Sequence, residues 1–136
     1  HSQVVEGSTT TRATLHWTAL PTDAEALGLI DAKRVTEDGA EAVALAVVHT
    51  TGGWTVKRRM QQGEHGDWLL VGPQHTLLNL VLEVSGTEES NAAQRLGQKL
   101  SQVAKSTEPN CDCAAVVVSF KEPTIYTQTL RGRTTT

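Results

Sequence analysis

A chain of 136 residues makes one domain, large enough for a core of two or three layers. Its 38% apolar and 20% charged residues describe an ordinary globule. No apolar run approaches the roughly 20 residues that cross a bilayer, and nothing resembles a secretory h-region. A net charge of −3 argues against a strongly basic nucleic-acid binder but leaves room for a local basic patch.

The chain opens on His1 rather than methionine, and residues 1–8 are expected to be a disordered N-terminal segment or an expression remnant. Residues 10–20 alternate as a strand, with Ala13, Leu15, Trp17 and Ala19 on one face. Pro21-Thr22-Asp23 breaks it, and residues 24–34 fit a short helix or a strand. Thr36-Glu37-Asp38 then supplies a capping side chain and first-turn acids. Ala40, Val43, Ala44, Val47 and Val48 follow at helical spacing, predicting an amphipathic helix of about a dozen residues. Thr51-Gly52-Gly53 ends it.

Three strands are expected next, over residues 54–61, 67–71 and 77–84. Gln62-Gly63-Glu64-His65-Gly66 and Gly72-Pro73-Gln74 break them, and the first two strands are hairpin-compatible. Leu96, Leu100 and Val103 stripe a helix over residues 91–105, with Ser90 or Asn91 as its cap. Residues 113–120 form a Val-rich buried strand, and residues 125–130 a weaker last one. The strand at 77–84, the helix and the strand at 114–120 have the length of a right-handed βαβ unit, so those strands should be parallel neighbours. This makes an α/β fold with an αβββαβ core, its four- to five-stranded mixed sheet flanked by helices. The domain covers residues 9–130, and residues 131–136 form a flexible tail.

Cys111-Asp112-Cys113 brackets a single residue on a strand, which strains a disulfide, and no further ligands stand at zinc spacing. Two reduced thiols are expected, pointing to a cytoplasmic compartment.

The acids in the apolar strands carry the chemistry. On the 77–84 strand, Leu78, Leu80, Leu82 and Val84 share a core face, while Asn79, Val81, Glu83 and Ser85 share the other. Glu83 therefore stands near the C-terminal end of a buried strand, where open α/β sheets place ligands. Asp67 opens the preceding strand and can meet it. Two carboxylates that close repel, and a divalent cation relieves the repulsion while polarising a phosphate and its attacking water. The bland alternatives are a turn role for Asp67 and a cross-strand ion pair of Glu83 with Lys57, Arg58 or Arg59. Glu41, Arg95 and Lys99 read most simply as solvated helix flanks. No His-x-x-x-His pair joins His49, His65 and His75, and Trp54 and Trp68 are expected in the core and on the sheet face.

The element order, with an Asp at the second strand and a Glu in the third, resembles the PD-(D/E)XK nuclease superfamily of restriction-endonuclease-like folds, over roughly residues 37–120. That resemblance implies Asp67 and Glu83 as Mg²⁺-binding catalytic acids and Glu41 as an accessory acid. It places a lysine where this chain has Ser85, and some members move that lysine to the following helix, where Lys99 is available. Gln94 would face the site, as a Gln on that helix does in some branches. Lys57 and Arg59, grouped on one strand face, together with Arg95 and Gln94, are the candidate nucleic-acid contacts, for weak and salt-sensitive binding. The expected function is a divergent Mg²⁺-dependent nuclease acting on DNA or RNA. The alternative is a catalytically inactive protein-interaction or regulatory module on the same fold, and an unrelated ligand-binding α+β domain is a third.

Overall fold

In the computed structural model, which describes residues 2–6, 9–13, 32–73, 77–121 and 124–130, nine elements follow one another. They are β1 (Ser2–Glu6), β2 (Thr9–Ala13), α1 (Ala32–Gly52), β3 (Thr55–Arg59), β4 (Trp68–Val71), β5 (Asn79–Thr87), α2 (Ala92–Val103), β6 (Cys111–Ser119) and β7 (Thr124–Leu130). The strands form one mixed sheet in the order β2-β1-β7-β6-β5-β4-β3. Strands β3, β4 and β5 are an antiparallel meander. β5 and β6 are parallel, from Asn79↔Cys111 to Thr87↔Ser119, with α2 crossing between them. The order α1-β3-β4-β5-α2-β6 is therefore the αβββαβ sequence expected.

β5 and β6 lie inside the sheet with a helix over each face, which is why both read as long apolar runs. Leu80, Leu82 and Val84 pack with Ala40, Ala44 and Val47 of α1 and with Ala114, Val116 and Val118 of β6. Val81 and Leu69 pack on the other side with Val103 of α2, Met60, Cys111 and Cys113. The period-two sorting of β5 is thus realised, one set of side chains to each helix. At Gly86 α1 comes close against β5. A Cβ there would stand 2.9 Å from both the Ala40 Cβ and the Thr36 carbonyl oxygen.

Several expectations are corrected. β1 and β2 extend the sheet to seven strands, and the anticipated end segment contains β1, which pairs antiparallel with β2 and parallel with β7. α1 begins at Ala32, because Ala32, Lys33 and Arg34 are good helix formers, so Thr36 lies inside it rather than at its cap. Thr36 Oγ1 instead donates to Glu88 Oε1 at 3.3 Å. Gly53, at φ 70°, closes the helix, its N–H donating to the His49 carbonyl at 2.9 Å. Asn91 holds the N-cap position of α2 without a side-chain capping bond. Its Oδ1 accepts from Thr87 Oγ1 at 2.7 Å, which ties the end of β5 to the start of α2. The readings at residues 14–31, at His75 and at residues 131–136 lie outside the described residues. Among the described residues no helix is long and apolar enough to cross a membrane.

Candidate functional site

Asp67 stands where the β4–β5 ladder stops. The last paired residues are Trp68 and Leu82. One residue earlier, the Asp67 N–H still donates to the Leu82 carbonyl (2.9 Å), and its own carbonyl accepts from Met60 N–H (2.8 Å). Its Oδ2 then accepts the Val84 N–H at 2.7 Å. A carboxylate thus satisfies a β5 donor that β4 no longer reaches, and one of its oxygens is committed to that task. Gly66 permits the approach, because any side chain there would run into Val81 and Met60.

Glu83 is 9% exposed, on the face of β5 that α2 covers. Lys99 Nζ lies 3.2 Å from its Oε1 and also donates to Gln102 Oε1 at 3.2 Å. Burial pushes the Glu83 carboxyl above its ordinary range, the charge of Asp67 pushes it further, and Lys99 opposes both. Two residues along, Arg95 Nη1 donates to Ser85 Oγ at 3.1 Å. Arg95 and Lys99 are one helical turn apart, so α2 sends two cations to the same strand face.

Asp67 and Glu83 line one open depression of about 540 Å³, with Arg59, Gln61, His65 and Gln102 among its other walls. The oxygen donors of two carboxylates suit a hard cation such as Mg²⁺, which keeps several of its own waters. No group of three or more His, Cys, Asp or Glu side chains able to hold a metal occurs among the described residues.

The other predicted residues are distributed differently. Glu41, on α1, pairs with Arg59 Nη2 at 3.2 Å and is not on the depression. Burial pushes its carboxyl up, Arg59 pulls it down, and the charge of Asp67 adds to the upward push. Of the cross-strand partners expected for Glu83, Arg58 and Arg59 are engaged elsewhere. Arg58 forks onto Glu64, with both contacts at 3.0 Å, and approaches Glu108 at 3.7 Å. The reason is geometric: β4 separates β3 from β5, so these side chains start two strand spacings, about 10 Å, from Glu83. Lys57 and Arg59 do not simply alternate together, because the register slips between Val56 and Arg58 and makes Lys57 the extra residue of a bulge. Gln94 is exposed and outside the depression.

Gln102, at i+3 from Lys99 on α2, carries no mark in the sequence of its place on the depression. Nor does the turn that brings His65, at φ 58°, to the rim. Trp54 and Trp68 pack against the α1 side of the core as expected, and the Trp68 Nε1–H is buried without a partner. Cys111 and Cys113 are both buried, and neither forms a disulfide. No family model matches the chain, and no curated protein or solved structure resembles it closely enough to count as a match.

Proposed function

We propose that the depression is a divalent-metal site for phosphodiester hydrolysis, on a restriction-endonuclease-like core, with DNA or RNA as substrate. The observation that carries this reading is that Asp67 and Glu83 share one open depression while Lys99 stands 3.2 Å from Glu83. The αβββαβ order and the parallel β5–β6 pair agree with it. Asp67 and Glu83 would hold Mg²⁺, which would supply charge to polarise a phosphate and activate water. The Val84 N–H fixes the Asp67 carboxylate in one orientation. Lys99, held by Gln102 as well as Glu83, keeps a positive charge beside Glu83 that Ser85 cannot supply, although it does not itself line the depression. Arg95, anchored on Ser85, restores a second charge beside the position where the resemblance expects a lysine.

The test is calorimetric titration with Mn²⁺ and Mg²⁺, paired with a plasmid-nicking assay. The wild type is compared with Asp67→Asn/Glu83→Gln, which retains hydrogen-bonding oxygens. Binding and nicking in the wild type, both lost in the double variant, uphold the site. Absence of binding in the wild type ends the metal reading.

A second reading has its own support. Asp67 and Glu83 each already have a partner, in the Val84 N–H and Lys99. On that reading the acids are structural and the domain is a catalytically inactive interaction or regulatory module. The same titration would then find no metal, and neither substitution would alter partner binding directly.

A further inference from the structure

Arg59 is the last residue of β3 and lines the same depression as Asp67 and Glu83. Its guanidinium carbon lies 4.9 Å from the centroid of the Trp68 ring. Its Nη2 donates to Glu41 Oε1 at 3.2 Å. The ring contact holds the guanidinium from one side and the carboxylate holds it at one edge, yet the side chain remains 64% exposed. A cationic plane fixed in this way is a surface on which a nucleobase stacks. Gln61 and Gln62 are exposed on the same depression, and their amides offer both donors and acceptors to a base edge. Its volume, about 540 Å³, falls within the range of small-ligand sites, roughly 300–1,000 Å³.

Charge narrows the ligand further. A duplex held by its backbone needs several phosphates neutralised together. Among the described residues that line this depression Arg59 is the only lysine or arginine, and the chain carries a net charge of −3. Recognition here therefore relies on stacking with an unpaired base more than on a track of phosphate contacts.

We propose that Arg59, seated on Trp68 and tethered by Glu41 on the α1 side of the sheet, is a base-stacking platform at the edge of this depression, so that the ligand that reaches both is single-stranded nucleic acid. The inference rests on the metal-site reading only for where the adjoining phosphate lies. Its test can be separated from that reading.

Fluorescence anisotropy would compare a labelled oligothymidylate with an abasic phosphodiester oligomer of equal length and charge, and with the matching duplex. An oligouridylate arm distinguishes RNA from DNA. Each titration is run in EDTA and again with Ca²⁺, on wild type, Arg59→Lys and Asp67→Asn/Glu83→Gln. Arg59→Lys keeps the charge and can still reach Glu41, but it has no plane. The expected result is about tenfold or tighter binding of a base-bearing strand over the abasic oligomer and over the duplex. That preference should collapse in Arg59→Lys. Equal binding of base-bearing and abasic strands, no binding of any strand, or a preference that survives Arg59→Lys overturns the proposal. A preference that persists in Asp67→Asn/Glu83→Gln, alongside calorimetry that finds no metal, upholds the platform and sinks only the metal reading.

Discussion

The carboxylate of Asp67 takes over from β4 as the partner of β5: its Oδ2 accepts the Val84 N–H at 2.7 Å, past the last paired residue of the ladder, Leu82. The acid thus has a structural task independent of any metal, and the two roles can be separated by substitution. Asp67→Ala should leave the Val84 N–H without its acceptor and lower stability by about 1–3 kcal/mol. Asp67→Asn keeps an amide oxygen for that N–H and should hold stability near wild type while removing a charge from the depression. Denaturant unfolding of both variants checks this. Equal destabilisation would show that the charge, not the hydrogen bond, supports the strand.

The Glu83–Lys99 pair invites a different comparison, because the side chains are only 11% and 24% exposed. Lys99→Met removes the cation and leaves a largely buried carboxylate uncompensated. The pair keeps some solvent contact, so the expected loss is about 1–3 kcal/mol, below that of a fully buried pair. Glu83→Gln in the same background should recover part of that loss, since it removes the stranded charge. A double-mutant cycle from unfolding midpoints gives the coupling, and additive single effects would mean that Lys99 does not neutralise Glu83.

Both acids with raised carboxyls affect how stability varies with pH. Glu83 and Glu41 lie above the ordinary value of 4.5, chiefly through burial. In the window above 4.5 the folded protein holds protons on these groups that the unfolded chain has already released. Stability therefore falls as pH rises through that window, and levels off once the folded carboxyls have also ionised. Wild type should show this decline in unfolding free energy from about pH 4.5 upward. Glu83→Gln should flatten part of it and Glu41→Gln another part. A decline of the same steepness in both variants would place its origin elsewhere.

Much of the fold was legible because β5 and β6 are apolar runs bounded by clear punctuation, and because period two alone sorts β5 between the two helices. Asp67 and Glu83 stood out because acids are costly inside such runs, and the fold does bring them to one depression. Glu41 and Arg59 were harder to place, because their pairing joins α1 to an edge strand and nothing local encodes that contact. The expected link from β3 to Glu83 failed because strand order is not written in any one segment. Strands consecutive in the chain placed β4 between β3 and β5, and only the meander reveals that. The bulge at Lys57 is similarly silent, since alternation read from sequence assumes an unbroken register. Gln102 was hidden by its ordinary identity, its importance arising only from Lys99 one turn earlier.

The two thiols give a test of how tightly the α2 side of the sheet is packed. Cys111 is 1% exposed, and burial pushes its thiol up to about 11, with Glu108 adding to the push. The thiolate is the reactive form, so at pH 8 only a very small fraction is available, and reagent must also reach the space beneath α2. Both Cys111 and Cys113 should resist a disulfide reagent such as dithionitrobenzoate in the native protein and react promptly in denaturant. Lys99→Met offers a sharper version, because loosening α2 over β5 should open the same cluster that holds Val103, Cys111 and Cys113. Faster labelling in that variant, with native circular dichroism retained, would show that the Glu83–Lys99 pair holds the helix against the sheet. Unchanged labelling would assign that hold to the Val103 contacts alone.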